Sequence, residues 1–266
     1  MEVNGPVSPY RQAYLLGIRK REHTIRLLRY AILLLFLVFW EISTRIGLLD
    51  PFITSSPTRV AATIYRLIQS NELFTHIGVT LLETVAGFLL GTLLGTLVAI
   101  LLWWSDTACR VLDPYLVVLN ALPKIALGPI LIVWIGSGIG SIIVMAILVS
   151  LVVTIVTVLT GFLDTTDEKQ LLMKTLGASK LQIFRLVVLP ASIPTIVAAL
   201  KISVSMSWVG VIVGEYLVSK SGLGFLIVYG GQVFKLDLVM ASIVVLCILA
   251  ALMYYGVAYL EKKLVK

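Results

Sequence analysis

Charge is scarce in this sequence. Lysine, arginine, aspartate and glutamate together make up 13% of its 266 residues, well below the share of about 25% usual in soluble domains. Hydrophobic residues make up 59%, and mean hydropathy is +1.03. A conventional water-soluble globule is excluded. Cysteine is equally rare: Cys109 and Cys247 stand alone, neither in a C-x-x-C pair, so no disulfide framework or zinc cluster can be built from them. The two histidines, His23 and His76, fall outside the apolar runs, and neither an H-E-x-x-H nor a paired-aspartate motif occurs. With no nucleophile set beside a base, covalent chemistry is not expected, nor is a cofactor or metal in this chain. The apolar runs lack the alternation of a membrane strand, which excludes a barrel.

The formal net charge of +7 does not mark a nucleic-acid binder, because the basic residues cap the ends of apolar runs instead of forming one patch. Lipid headgroups are the partner that this placement suits. A phosphate loop is missing too. Gly214 to Ser221 reads G-E-Y-L-V-S-K-S, but Ser219 replaces the second glycine, and the stretch ends an apolar run where a phosphate loop would follow a strand. Any energy source must therefore be a partner or an ion gradient.

What is present is a series of apolar runs near the roughly 20 residues that cross a bilayer. They predict an all-α membrane protein of about six transmembrane helices: Tyr30–Leu48, Ile77–Trp104, Leu112–Ile135, Ile139–Leu163, Ala191–Val218 and Leu236–Leu260. A basic tail, 1–29, precedes the first. Between the first and second, Asp50-Pro51 and Ser55-Ser56-Pro57 break the chain, and Thr58–Leu73 has the period of an amphipathic helix lying along the membrane. Pro123 and Pro129 interrupt the third run. Freed carbonyls there must be satisfied by neighbours or a watery cavity.

The positive-inside rule predicts the orientation. With both termini inside, the inner segments hold Arg11, Arg19, Lys20, Arg21, Arg26, Arg29, Arg110, Lys169, Lys174, Lys180, Arg185, Lys262, Lys263 and Lys266. The outer segments hold only Arg45, Arg59, Arg66, Lys220 and Lys235. The termini and the segment Asp164–Pro190 are thus expected in the cytoplasm.

That segment is far longer than the 2–8 residues that join antiparallel helices. Asp164 to Glu168 is acidic and cap-competent, Lys169–Leu176 holds good helix formers, Gly177 allows a turn, Ser179 can cap a second helix, and Pro190 follows an apolar stretch. A helix, a glycine corner and a second helix are expected. Packing within the chain and docking of a partner are both open to it.

Here the sequence resembles a family. Leu171-Leu172-Met173, three residues, Gly177, nine residues, Val187, one residue, Leu189-Pro190 is similar to the cytoplasmic signature of permease subunits of bacterial binding-protein-dependent ABC importers, E-A-A-x3-G-x9-I-x-L-P. The E-A-A triplet is replaced by Leu171-Leu172-Met173. Ala121-Leu122-Pro123-Lys124-Ile125-Ala126-Leu127, Trp134-Ile135-Gly136, Leu176-Gly177-Ala178-Ser179 and Gly214-Glu215-Tyr216 with Ser221-Gly222-Leu223-Gly224 resemble its nitrate, sulfonate and taurine branch, which also serves thiamine-precursor pyrimidines. The resemblance implies an inner-membrane permease that moves a small nutrient by alternating access. Its implied partners are two ATPase subunits below, a substrate-binding (lipo)protein outside and a second permease copy, often an identical one. It implies a core at 77–260, a first span with an external amphipathic segment at 30–76, and a C-terminal tail at 261–266. It also implies that Leu171, Leu172, Met173, Leu176, Gly177, Ala178 and Ser179, with Leu189 and Pro190, couple the chain to the ATPase.

The other class considered is an ion-coupled secondary transporter, which calls for an inverted repeat and several buried acids. No convincing repeat is visible. Ionisable residues at membrane depth are functional candidates by default. Glu83, Lys124, Lys201 and Glu215 therefore either line a pathway, pair with one another or snorkel to span ends. Two stripes of small residues, Gly87, Gly91 and Gly95 and then Gly210 and Gly214, predict close helix approach to an unspecified neighbour.

Overall fold

The computed structural model describes residues 9–165 and 167–264, so the start of the expected basic tail, Thr166 and the last two residues of the C-terminal tail lie outside the described residues. The described residues are helical with no strand among them. In chain order the helices are α1 Pro9–Arg45, α2 Pro51–Thr54, α3 Pro57–Gln69, α4 Glu72–Trp104, α5 Asp106–Ala121, α6 Gly128–Ile135, α7 Ile139–Leu163, α8 Asp167–Thr175, α9 Lys180–Ile183, α10 Leu189–Val218, α11 Leu223–Gln232 and α12 Leu236–Leu264. A 3₁₀ turn, Lys124–Leu127, precedes α6, and a π-helical stretch, Phe184–Val188, joins α9 to α10. The chain divides into two units, Met1–Ala62 and Thr63–Lys266.

In the first unit, α1 is one uninterrupted helix, where a tail followed by a separate span was expected. Nothing between Arg19 and Trp40 breaks it, since no proline or glycine occurs there. At its end Glu41 holds the chain that follows: its carboxylate accepts from Arg45 Nε at 2.8 Å, Thr58 N at 3.1 Å and Thr58 Oγ1 at 3.1 Å. Asp50 caps α2 by accepting from Phe52 N at 2.8 Å.

Among the described residues, four helical stretches are long and apolar enough to cross a membrane: Glu72–Trp104, Ile139–Leu163, Lys180–Val218 and Leu236–Tyr259. A fifth arises if α5 and the Lys124–Ile135 stretch count as one bent span. The expected first span, Tyr30–Leu48, falls on α1 and the turn after it, its apolar residues lying between Arg29 and the Glu41–Arg45 pair. The bent pair turns through 83°, at the place where Pro123 and Pro129 predicted an interruption. Its cause is local: the residue before a proline is pushed out of the helical region, and Leu122 takes φ −62°, ψ 132° ahead of Pro123.

Helix α7 organises the second unit. It carries no charged residue, and much of its length is buried between α4 and α10. Both glycine stripes face it. A Cβ on Gly87 would stand 2.5 Å from Ala146 Cβ, and one on Gly95 would stand 2.8 Å from Thr154 Cβ, with Gly91 equally tight on Ser150. From the other side, a Cβ on Gly210 would stand 2.5 Å from Ala146 Cα, and one on Gly214 would stand 3.0 Å from Ile142 Cα. The neighbour that the sequence left unspecified is therefore the same helix of the same chain. Polar groups knit the trio further: Thr92 and Ser203 hydroxyls lie 3.0 Å apart across α4 and α10, and Ser192 Oγ donates to Gly161 O at 2.7 Å across α10 and α7.

The sequence boundary at Pro190 is not a helix end. Residues Lys180–Val218 run as one helical stretch through Pro190 and Pro194. A proline ring collides with the carbonyl one turn back in a regular α-helix. Here the π turn just before it widens the coil, with Leu189 N–H bonding to Phe184 O, five residues back.

Candidate functional site

Two assemblies of side chains stand out, at opposite ends of α10. The first is the segment between α7 and α10. Helix α8 ends on Gly177, whose φ of +78° is the left-handed cap conformation. Ala178 N–H donates to Met173 O and Gly177 N–H to Lys174 O, both at 3.0 Å, which is the Schellman pattern. Ser179 then opens α9 with a reciprocal capping box: its Oγ accepts from Gln182 N, and its own N–H donates to Gln182 Oε1 at 2.7 Å. The corner expected from Gly177 and Ser179 is thus built twice over, by a left-handed stop and an immediate restart.

The corner is anchored from within. Met173 and Ala178 pack, half-buried, against a core that includes Phe162, Ile183, Phe184 and Val188. Leu189 joins the same cluster, while Pro190 is exposed. Lys180 Nζ donates to Trp104 O at 2.7 Å and lies 5.4 Å from the centre of the Trp103 ring. Opposite this anchor, Leu171, Leu172 and Leu176 are 62%, 60% and 73% exposed. Three bare leucines, two on α8 and one in the turn that follows it, form an apolar tip with nothing covering it among the described residues.

The second assembly was only partly legible. Glu83 on α4 and Glu215 on α10, two membrane-depth acids that the sequence left free to line a pathway, pair or snorkel, lie together, each almost wholly shielded from solvent. Thr80 Oγ1 donates to Glu215 Oε1 at 2.6 Å and accepts from Leu223 N at 2.8 Å. Gly224 N–H donates to Glu215 Oε2, and Gly222 N–H donates to His76 Nδ1 at 2.9 Å. His76 in turn stacks on Phe225, and Phe225 on Tyr229. Glu215 thus caps the start of α11 from a neighbouring helix. Glycine is required at 222 on two counts: φ is +117°, and any Cβ would run into the Glu215 carboxylate.

Thr80, His76, Gly222 and Gly224 are the participants that sequence reasoning did not assign to a site. The signal available for them was the S-G-L-G run after Glu215 and the three-residue spacing of Thr80 and Glu83. The two lysines behave differently from the acids. Lys124 sits half-buried in the 3₁₀ turn at the bend, its Nζ donating to Asn120 O at 3.3 Å, and Lys201 is half-buried on α10. Among the described residues no group of three or more histidine, cysteine, aspartate or glutamate side chains is placed to hold a metal ion.

Comparison with known proteins gives this architecture its context. Residues 87–266 match the family model for the binding-protein-dependent transport system inner membrane component. The chain is 32% identical over 237 residues to a "Probable ABC transporter permease protein" of Haemophilus influenzae, covering 89% of this chain and 96% of the relative. It is 33% identical over 195 residues to the formylaminopyrimidine transport permease protein ThiX of Halalkalibacterium halodurans, covering 72% and 76%. The inward-facing MetNI methionine ABC transporter has a chain of the same fold, with a TM-score of 0.64 at 21% identity, covering 72% of this chain and 95% of that one.

An ion-coupled secondary transporter is thereby set aside. Permeases of this family are not enzymes; they work with ATPase subunits that hydrolyse ATP and with a binding protein that delivers cargo. The match covers more than half of the chain, and the relatives agree with the branch that its motifs resemble. The chain belongs to the family of binding-protein-dependent transport system inner membrane components, as the multi-pass permease subunit of an ABC importer.

Proposed function

We propose that two copies of this chain form the translocation pathway, with both termini and the 164–190 segment on the cytoplasmic side, over two ATPase subunits and beneath an external binding protein. Helix α8 and its corner, Leu171, Leu172, Met173, Leu176, Gly177, Ala178 and Ser179, then seat in the ATPase, braced from behind by Leu189 and Pro190. The observation that supports this reading is the asymmetry of the corner. One face is locked into the core through Met173, Ala178 and Lys180, while Leu171, Leu172 and Leu176 project uncovered. A rigid lever with a bare apolar tip is what transmits a two-state motion from a motor to a bundle, since a coupling element must make different contacts in the two states.

Co-purification tests the assembly. The wild-type chain should bring down its ATPase, whereas a chain carrying Leu172→Asp and Leu176→Asp should fold but arrive alone. Retention of the ATPase by that double variant would refute the docking assignment.

For the cargo, we propose a small nutrient of the class served by this branch, nitrate, sulfonate or taurine, or thiamine-precursor pyrimidine. Formylaminopyrimidine is the first to assay, because a relative bearing that name covers most of this chain. Lys124, at the bend of the broken span, discriminates among these cargoes. An anionic cargo touching it gains a charge-assisted hydrogen bond of about 1.5–3 kcal/mol, so Lys124→Gln should cut uptake by roughly tenfold or more with assembly intact. Uptake of an uncharged pyrimidine should be nearly unchanged.

A further inference from the structure

The Glu83–Glu215 pair contains something that coupling to an ATPase does not use. Both carboxyl oxygens of Glu83 are buried without a hydrogen-bond donor, and the whole residue has no exposed surface. Its charged neighbour is the carboxyl of Glu215. Glu215 is in the opposite condition, with Oε1 taken by the Thr80 hydroxyl and Oε2 by the Gly224 N–H. Glu215 thus holds two donors, and Glu83 holds none.

Two ionised carboxylates in contact inside a membrane bundle repel, and each would have to be stripped of water. A neutral acid beside a carboxylate solves both problems. One O–H satisfies the orphaned acid and adds a third hydrogen bond to its partner. The surroundings leave little room for a larger neutraliser. Gly222 and Gly224 press backbone against the Glu215 carboxylate so closely that even a methyl group would collide, and the Thr80 hydroxyl fills the third side. Nor does a packed neighbour bring in a fixed cation. Helix α7 has no ionisable residue, α11 has only Tyr229, and α12 has only Asp237 and Cys247 before Tyr254, none of them a cation. Helix α4 has only Glu72 and His76 besides Glu83, and the imidazole Nδ1 of His76 is engaged by Gly222 N–H. On α10 the residue after Glu215 is Tyr216, and Lys201 lies about four helical turns away along the helix; Lys220, in the loop to Gly222, is exposed, and Arg66 of α3, which packs on the start of α11, donates to Thr63 Oγ1.

We propose that Glu83 and Glu215 form a single-proton binding site, Glu83 as the carboxylic acid donating to the Glu215 carboxylate, and that this proton fastens α4 to α10 and the start of α11. The proton completes a chain of bonds running from Glu83 through Glu215 to Gly224 N–H and, by way of Thr80, to Leu223 N–H. Removing it places two like charges at the point where α4, α10 and α11 meet. No bond other than O–H is made or broken, and the proton exchanges with solvent when the bundle opens.

The test uses the permease with its ATPase subunits in lipid nanodiscs. The infrared spectrum at neutral pH should contain the carbonyl band of a protonated carboxylic acid that vanishes in Glu83→Gln. Linkage supplies a second readout. An unfolded chain has its carboxyls ionised at neutral pH, while the folded site keeps one proton, so the folding equilibrium constant should fall up to tenfold for each unit of pH rise above neutrality. In Glu83→Gln, which retains a neutral donor of the same shape, that slope should disappear and the assembly should persist.

Absence of the infrared band, or its survival in Glu83→Gln, overturns the proposal. So does a wild-type melting temperature that rises with sodium or potassium over choline but ignores pH, which would make the site one for a metal cation. Failure of Glu83→Gln to assemble would also overturn it, because a neutral donor at position 83 is what the site is held to need.

Discussion

Gly210→Val should abolish the folded bundle, while Gly78→Ala, on α4, should leave it unchanged or slightly more stable. The difference lies in what a new side chain meets. A Cβ on Gly210 would stand 2.5 Å from Ala146 Cα and 3.0 Å from Ala146 N and Met145 O, all backbone of α7, whereas one on Gly78 meets nothing within 4 Å. Side chains can rotate away; a helix backbone wedged between α4 and α10 cannot. Overpacking usually costs about 1–3 kcal/mol, and this case belongs at or above the upper end, so yield of monodisperse protein should collapse. Gly78→Ala removes a flexible residue from a helix interior and should gain up to about 1 kcal/mol.

Gly87 provides an internal control, because its nearest obstacle is the Ala146 side chain, with Cβ at 2.5 Å. Gly87→Ala should therefore be rescued by Ala146→Gly, and Gly210→Val should not. Thermal unfolding of the four single variants and the two double variants checks both statements. Rescue of Gly210→Val would mean that the α7–α10 approach is set by side chains and not by backbone contact.

How far these contacts could be read in advance depended on whether their cause was local. The bend of the broken span was visible because Leu122-Pro123 dictates it from adjacent residues, and the corner was visible because Gly177 and Ser179 carry their own cap chemistry. The glycine stripes showed that helices approach closely but not which ones, since spacing on one helix says nothing of its neighbour. The Glu215 cluster was hidden for the same reason. Thr80 lies 135 residues from Glu215 and His76 lies 146 from Gly222, so only the packed fold brings them together. Continuity through Pro190 was hidden differently. A proline normally signals a boundary, and the π turn that cancels the signal leaves no mark of its own in the preceding Phe184–Val188.

Gly177→Asp should leave the permease inserted and folded while cutting transport at least tenfold. Its φ of +78° costs most residues roughly 1–2 kcal/mol, but aspartate visits this region more readily than most, and a Cβ there meets nothing within 4 Å. The Schellman bonds involve only backbone and survive the change. What changes is the surface. A carboxylate now stands beside exposed Leu176, at the tip proposed to enter the ATPase, and docking would have to desolvate it without a partner. Basal ATP hydrolysis should persist, and its stimulation by cargo-loaded binding protein should be lost. Gly177→Asn separates charge from conformation: asparagine tolerates the same backbone without the charge and should keep most of the transport. Equal loss in both variants would assign the defect to the backbone, and normal stimulated turnover in Gly177→Asp would remove this corner from the coupling path altogether.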